Sequence, residues 1–335
     1  MDGLLIIDKP AGPTSHDVVM RLRRVLGERR IGHTGTLDPA ATGVLPLVVG
    51  RATRLARFLT AGDKSYEAVI RLGVSTDTAD ADGAPIGLPF TGTLPSREAV
   101  DGALQAFRGT FLQQPPVFSA KKIGGQRSHR LARSRSAIGL ESASSVTSVP
   151  APVTVTIHRL DIVSVEADRV ILTLDCSAGF YVRSLAHDLG QALGTGGHLE
   201  RLRRTRSGDC TLAGAVELAA AERDHDRAKA SIVPMSRMLS AWNAIVLTVD
   251  GVRHASQGRN LGPADISRDS GFGIGDADGM RHWGLATHGV PNPGESPIPN
   301  PESQFVRLID PAGELVGIGE PARTSWLLHP LVVLI

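Results

Sequence analysis

The amino-acid sequence predicts a protein of mixed α and β structure, with a large domain followed by a small β domain. Its 335 residues can bury a sizeable core and suggest one large and one small domain. Strand-like and helix-like segments mix up to about residue 240, whereas from Ala244 onward the apolar runs are short and separated by turns. We therefore assign residues 1–240 to the first domain and residues 244–335 to the second.

The large domain opens with an apolar run, residues 4–7, which predicts a short buried strand. Thr14 or Ser15 can then cap a helix, because the apolar residues that follow share one helical face and Gly27 can end it. Later segments predict strands at residues 45–49, 66–72, 153–157 and 170–176, and helices after Ser96 and at residues 182–193.

The small domain is predicted to consist of short strands joined by turns. The predicted strands are residues 246–249, 305–309, 315–318 and 331–335. Residues 268–303 are rich in Gly, Pro, Ser and Asp, which predicts a long irregular insertion. In the large domain, the Ser-, Ala- and Pro-rich residues 137–152 predict a mobile loop.

Composition excludes several classes of protein. Hydrophobic residues make up 41% of the chain and charged residues 21%, as in soluble globular proteins. Cys176 and Cys210 are far apart, which argues against a disulfide framework or a structural zinc site. No apolar run approaches the length of a membrane span, and the acids Asp2 and Asp8 around residues 4–7 do not fit a signal peptide. We expect a cytoplasmic protein without a membrane partner.

Basic residues are concentrated in three clusters, although the formal net charge is only +2. The clusters are Arg21, Arg23, Arg24, Arg29 and Arg30; Lys121, Lys122, Arg127, Arg130, Arg133 and Arg135; and Arg201, Arg203, Arg204 and Arg206. A solvated surface explains any single cluster. Three of them in a nearly neutral chain favour a polyanionic partner.

The most distinctive segment is residues 32–46, GHTGTLDPAATGVLP, in which Asp38 is the single carboxylate. Small residues let the backbone approach a ligand closely, so this loop can present one acid to a bulky substrate. Asp38 followed by Pro39 is also typical of a helix start, with Asp as the N-cap and Pro at the first helical position. The two interpretations are compatible, because a capping Asp can still face a cleft.

The same segment closely resembles the signature of the bacterial tRNA pseudouridine-55 synthases, the TruB family. Further stretches resemble the other motifs of that family, in family order, over roughly residues 3–210. These stretches are LIIDKPAG at residues 5–12, DKSY at 63–66, TDTADADG at 76–83, QPPVFSAKK at 114–122, CSAGFYVRSL at 176–185, and GHL at 197–199 with LRRT at 202–205. The C-terminal domain is similar to the RNA-binding PUA-type domain of the family.

The resemblance implies an α+β pseudouridine synthase fold, with a central, mostly antiparallel mixed sheet flanked by helices and a C-terminal PUA-like β barrel. It also implies that the protein isomerises uridine 55 in the T loop of tRNA to pseudouridine. The RNA partner is then the T arm, gripped in part by an insertion at about residues 121–152. The protein is expected to work as a monomer, without an obligatory protein partner.

The family's site residues carry over onto matching positions. Asp38 becomes the catalytic acid, Arg183 its ion-pair partner, and Tyr66 the residue that stacks on the uracil or takes the proton from C5. The resemblance further assigns substrate-binding roles to Lys9, His33, Tyr181 and Leu202, and the basic cluster at residues 121–135 assigns Lys121 and Lys122 to substrate binding. His33 would fill the stack that the flipped uridine vacates, and Lys9 would support the tyrosine and the loop. For each residue a structural role is the alternative: a turn, a surface or the core.

The chemistry itself requires no cofactor and no metal, because the isomerisation involves neither oxidation nor hydrolysis. One carboxylate can serve as the nucleophile or as the base on the ribose, and the sequence leaves this choice open. Hydrolytic glycosidases need two carboxylates because they must also deliver water to the sugar. Here the base never leaves the enzyme.

Two other functions stay open at this point. The chain can be an RNA-binding or tRNA-folding protein whose catalysis is dispensable, or a synthase that modifies another RNA. His129 and Arg130 depart from the family pattern, which leaves the tRNA contacts of the insertion open but does not affect the chemistry.

Overall fold

The computed structural model describes residues 1–116, 122–123, 126–127, 151–267, 305–322 and 327–335. In chain order the strands are β1 (Gly3–Lys9), β2 (Ile31–His33), β3 (Thr42–Val49), β4 (Lys64–Leu72), β5 (Ser75–Thr76), β6 (Pro85–Ile86), β7 (Gly109–Gln113), β8 (Lys122–Ile123), β9 (Gln126–Arg127), β10 (Val153–Glu166), β11 (Arg169–Cys176), β12 (Gly197–Ser207), β13 (Cys210–Thr211), β14 (Val216–Glu217), β15 (Val233–Pro234), β16 (Ala244–Val246), β17 (Val306–Ile309), β18 (Leu315–Pro321) and β19 (Leu328–Val333). The α-helices are α1 (Ser15–Leu26), α2 (Ala56–Ala61), α3 (Arg97–Leu104), α4 (Val182–Ala192), α5 (Leu218–Arg223), α6 (His225–Ala230) and α7 (Val249–Ser256).

An eleven-stranded mixed sheet forms the centre of the large domain, with the main order β14-β1-β3-β12-β4-β11-β10-β7. Most neighbours are antiparallel, while β1 with β14 and β3 with β12 are parallel. The predicted mostly antiparallel sheet with helices is therefore confirmed. The parallel contact brings Gly43 against Arg204 so closely that a Cβ on Gly43 would lie 2.1 Å from the Arg204 carbonyl oxygen. Only glycine fits there, at φ +100°.

Helix α1 has the predicted start and end. The Thr14 hydroxyl accepts a bond from the Asp17 amide at 3.0 Å, and the Asp17 carboxylate accepts one from the Thr14 amide at 2.9 Å. This reciprocal pair satisfies amides that a helix start leaves without partners. Gly27 ends the helix in the left-handed region at φ +66°.

Both faces of the strands β1 and β3 are buried, which explains why each reads as a continuous apolar run. Leu5 and Ile7 belong to a core cluster shared with α1, α5 and α6. Leu4 and Ile6 belong to a different cluster that also contains residues of the C-terminal sheet and Leu334, which follows its last strand. A third cluster lies where α3 and α4 cover β4, β10 and β11.

From Ala244 onward, β16-β17-β18-β19 form a separate four-stranded sheet in that order, accompanied by α7. The described residues form an open sheet rather than a closed barrel. The predicted strand at residues 246–249 is partly wrong, because Thr248 accepts a bond from the Gly251 amide and thereby caps α7. The last strand ends before the predicted residues 331–335 do. The predicted insertion at 268–303 lies outside the described residues.

Two further differences concern the large domain. No helix follows Asp38 and Pro39, because the chain turns and enters β3 at Thr42, so the helix-start interpretation is wrong. The sequence did not predict strand β12, because its run of arginines lacks the alternation of apolar and polar residues that is typical of a strand. Within the described residues, no helix is long and apolar enough to cross a membrane.

Candidate active site

The loop between β2 and β3, residues 34–41, presents the Asp38 side chain, which is 41% exposed. Ser15 anchors the loop to the start of α1. Its hydroxyl donates to the Leu37 carbonyl at 3.0 Å and accepts from the Leu37 amide at 2.8 Å. The Gly12 amide donates to the Pro39 carbonyl at 2.9 Å. The residues on both sides of Asp38 are therefore held by the preceding strand–helix segment.

Lys9 lies beneath this loop and is fully buried. Its ammonium donates to the Pro39 carbonyl at 3.0 Å and to the Ala41 carbonyl at 2.7 Å. Burial lowers the pKa of Lys9 from 10.5 to about 8, although the nearby Asp38 carboxylate opposes the shift. Lys9 thus supports the loop by hydrogen bonds and adds a cation near the Asp38 carboxylate.

Arg183, in the first turn of α4, forms a bidentate ion pair with Asp38. Its Nε lies 3.0 Å from Oδ2 and its Nη2 lies 3.3 Å from Oδ1 of Asp38. The same guanidinium donates to the Thr78 carbonyl at 3.2 Å and lies 3.6 Å from an Asp80 oxygen. Burial raises the pKa of Asp38, and the Arg183 charge opposes that shift. The Arg183 side chain is only 7% exposed, whereas that of Asp38 is 41% exposed, so solvent partly screens this pair.

The segment leading into α4 is fixed by two consecutive glutamines at the end of β7. The Gln113 side chain accepts from the Tyr181 amide at 2.8 Å and donates to the Tyr181 carbonyl at 3.0 Å. The Ser184 hydroxyl donates to the Gln114 carbonyl at 2.8 Å. These bonds hold the residues on either side of Arg183.

A cavity of about 280 Å³ opens between the Asp38 loop, β4, β12 and the start of α4. This volume is near the lower end of ligand pockets, roughly 300 Å³. Five predicted site residues line it, and they are Asp38, Tyr66, Tyr181, Arg183 and Leu202. The other lining residues are Gly35, Thr36, Leu37, Thr60, Lys64, Ser177, Ala178, Gly179, Phe180, Val182 and Arg204.

Tyr66 lies on β4 directly opposite Arg204 of β12 and is 9% exposed. Burial raises the pKa of Tyr66, and the Arg204 guanidinium opposes that shift. The phenol is therefore protonated at neutral pH, and its ring forms part of the cavity wall.

Lys64, Asp80 and Arg204 are site residues that the sequence analysis did not select. Lys64 donates to the Thr60 carbonyl at 2.6 Å and also to the Gly62 carbonyl. Burial lowers the pKa of Lys64 to about 8. All three lie in motifs that resemble the family, and this resemblance could have identified them. Neither their charge nor their spacing distinguishes them from surface residues.

The basic cluster of residues 201–206 is divided by the sheet. Arg203 pairs with Asp8 at 2.7 Å, Arg204 is 1% exposed, and Arg206 lies 3.6 Å from Asp175. Only Arg201 keeps a mostly exposed side chain, at 74%. Neighbours on a strand point to opposite faces, so this cluster is not one basic surface.

The structure does not bring every predicted residue into the cavity. His33 is the half-buried last residue of β2, opposite Leu47, and is not part of the cavity lining. Lys121 lies outside the described residues. Lys122 pairs with Arg127 across β8 and β9, where only the backbone is described.

The large mixed sheet and its helices form a pseudouridine synthase fold, and one wall of its cavity carries a carboxylate held by an arginine. Two solved structures share the fold. They are a Cbf5–Nop10–Gar1 complex (TM-score 0.66, 23% identity) and an H/ACA RNP bound to a substrate RNA containing 2′-deoxyuridine (TM-score 0.65, 22% identity). Each match covers 99% of this chain and 85% of the other.

Sequence comparison identifies the family. The N-terminal domain of the TruB family pseudouridylate synthases matches residues 23–182, and the C-terminal domain of tRNA pseudouridylate synthase B matches residues 183–240. A tRNA pseudouridine synthase B of Solibacter usitatus is 40% identical over 339 residues, covering 100% of both chains. One of Gloeobacter violaceus is 51% identical over 225 residues, covering 66% of this chain and 73% of its own. The chain belongs to the TruB family of pseudouridylate synthases.

Proposed function

We propose that the protein isomerises uridine 55 in the T loop of tRNA to pseudouridine. The observation that carries the proposal is the Asp38 carboxylate, paired with Arg183 at the wall of a cavity of about 280 Å³. The names of the relatives support tRNA as the substrate. The residue-by-residue match of segment 32–46 with the family signature supports position 55.

The reaction breaks the bond from C1′ to N1, turns the uracil, and joins C1′ to C5. The C5 proton leaves and N1 takes up a proton, so atoms and electrons balance without a second substrate. Asp38 acts on the sugar, as the nucleophile at C1′ or as the base on the ribose. Arg183 keeps Asp38 ionised and oriented, a charge-assisted contact that contributes roughly 1.5–3 kcal/mol.

Tyr66 supplies the stacking surface for the uracil, a contact that contributes about 1–3 kcal/mol per base. Burial keeps its pKa above the ordinary range, so the hydroxyl holds its proton at neutral pH. A neutral phenol is a weak base, which favours stacking over removal of the C5 proton. Tyr181 and Leu202 complete the wall around the base.

The target uridine must leave the stack of the T loop before it reaches the cavity, at a cost of a few kcal/mol. We assign His33, the last residue of β2, to the gap that the uridine leaves, because it matches the histidine that has this role in the family signature. Lys121 and Lys122, in the insertion at 121–152, are assigned to the RNA backbone. The C-terminal domain is proposed to be PUA-like and to bind the same tRNA.

We further propose that the protein acts as a monomer in the cytoplasm and needs no protein partner. The two solved structures that share its fold are a ribonucleoprotein and a Cbf5–Nop10–Gar1 complex, so purified protein alone is the material for the test. Conversion of a T-arm transcript by that material supports the proposal. A requirement for an added protein contradicts this part of it.

Asp38→Asn tests the chemistry. The amide keeps the side-chain shape but cannot act as a nucleophile or base, so we expect no pseudouridine in the T arm while tRNA binding persists. Asp82→Asn, an exposed carboxylate on the neighbouring loop, is the matched control and is expected to convert uridine as the wild type does. Normal conversion by Asp38→Asn would exclude the proposed role. Pseudouridine is mapped at single-nucleotide resolution, and binding is measured by filter retention.

A further inference from the structure

Arg204 is the largest of the fully buried side chains, at 1% exposure. None of the ion pairs among the described residues includes it. Burying a cation without a counter-ion costs free energy. The groups that accept hydrogen bonds from Arg204 therefore explain why it is buried. Arg204 lies on β12 and is part of the cavity lining.

One set of contacts goes to the segment that carries Asp38. The Arg204 Nε donates to the Val44 carbonyl at 2.7 Å, and its Nη2 donates to the Gly35 carbonyl at 3.0 Å. Nη1 lies 3.5 Å from the Thr36 carbonyl oxygen. A planar guanidinium has five donors in a fixed fork, which suits several carbonyls at once. A lysine has three donors on one nitrogen atom and cannot reproduce the spacing of this fork.

The other contact goes to Tyr66. Tyr66 and Arg204 are direct partners across β4 and β12, and such partners project from the same face of a sheet. Both side chains line the cavity, and the Arg204 charge opposes the rise that burial causes in the pKa of Tyr66. One side chain therefore holds the loop that presents the acid and lies beside the tyrosine at the base position.

We propose that Arg204 is a positioning residue that ties the Tyr66 hydroxyl to the loop carrying Asp38. The two groups that flank the nucleoside then keep one geometry throughout the reaction. The inference rests on the proposed function, since it concerns the same cavity and the same RNA. The basic cluster alone predicts that Arg204 contacts RNA phosphates, and the inference gives it a different role.

Arg204→Lys keeps the charge and removes the fork. We expect the single-turnover rate on T-arm RNA to fall about 100-fold, as for a displacement of reacting groups by about 1 Å. The Kd for the RNA is expected to stay at the wild-type value. Arg71→Lys, at the far end of β4 with a 46% exposed side chain, is the matched control for the same chemical change.

A second measurement follows the contact without any substrate. The chain has two tyrosines, so Tyr66 is the single one in a Tyr181→Phe background, and its tyrosinate absorbance can be titrated. The Arg204 charge lowers the pKa of Tyr66, so Arg204→Met is expected to raise it, and Arg71→Met is not. A role in folding alone would not move this titration selectively.

Gly35→Ala reaches the same contact from the loop, because the added Cβ would lie 3.4 Å from the Arg204 Nη1 at a φ of +155°. It is expected to lower the rate in a folded protein even if the Arg204 variants unfold. Wild-type protein that makes no pseudouridine would overturn the proposed function. Active wild type with Arg204→Lys and Gly35→Ala rates equal to the control, or with an unmoved Tyr66 titration, would overturn this inference alone.

Discussion

At the residue scale, the central feature is one arginine shared by two carboxylates. Arg183 forms a bidentate pair with Asp38 and a longer contact of 3.6 Å with Asp80. Asp80 is itself fixed by a bond from the Thr78 hydroxyl. A guanidinium that also contacts a second carboxylate has less freedom to move. Asp80 therefore orients Arg183, and Arg183 orients Asp38.

Asp80→Asn removes the second charge while keeping the shape of the side chain. We expect the single-turnover rate to fall about 10- to 100-fold, as for other groups that orient a directly acting residue. The Asp80 charge also raises the pKa of Asp38, so the acidic limb of the pH–rate profile is expected to move to lower pH. Asp82→Asn is the control, and a profile identical to that control would refute the argument.

Lys9 makes the stability of the protein depend on pH in a defined direction. Its pKa is about 8 in the folded chain and about 10.5 in the unfolded chain. Between these values the unfolded chain binds more protons, so this group makes the free energy of unfolding rise as pH rises from 8 towards 10.5. Lys9→Met is expected to reduce that rise in urea unfolding series. Exposed Lys229→Met is not, and equal slopes in both variants would contradict the assignment.

The resemblance of their motifs to a known family led us to predict Asp38, Tyr66 and Arg183 as site residues, and the structure brings all three to one cavity. Sequence reasoning could not find the role of Arg204. A buried arginine and an exposed one have the same letter, and the strand that buries Arg204 lacks an apolar alternation. Burial of such a group depends on pairing between strands that are distant in sequence.

At the element scale, helix α1 and the Asp38 loop are coupled at adjacent residues. Thr14 caps the helix, whereas Ser15 forms both of its bonds with the Leu37 backbone. Local signals of this kind were predictable, because a cap, an apolar face and a terminal glycine lie within one short segment. The capping of α7 by Thr248 was missed, since the apolar residues before it resemble a strand.

Ser15→Ala and Thr14→Ala separate the two roles. Ser15→Ala leaves two buried Leu37 backbone groups without a partner and is expected to cost about 1–3 kcal/mol of stability. Thr14→Ala removes the cap and is expected to cost about 1 kcal/mol. Only Ser15→Ala is expected to slow pseudouridine formation, because only it frees the loop beside Asp38. Chemical unfolding and single-turnover rates measure both effects, and equal rates in the two variants would disprove the coupling.

At the scale of the whole molecule, the large sheet and the C-terminal sheet share a core. The cluster that contains Leu4 and Ile6 of β1 also contains Ile318 of β18 and Leu334. Arg51 extends the contact by donating to the Leu334 carbonyl at 2.8 Å. The composition change near residue 240 predicted a boundary, but no local pattern shows that the outward faces of β1 and β3 are covered by the end of the chain.

This shared core predicts that the described parts of the two domains unfold together. Leu334→Ala removes a fully buried side chain close to the C-terminus and is expected to cost about 2–5 kcal/mol. Calorimetry should then show one cooperative transition shifted to lower temperature, because the cavity opens in a cluster that also supports β1. Val249→Ala, at a position 78% exposed on α7, is expected to change stability by less than about 0.5 kcal/mol. Two separate transitions, of which Leu334→Ala lowers only the smaller, would show instead that the C-terminal sheet is an independent unit.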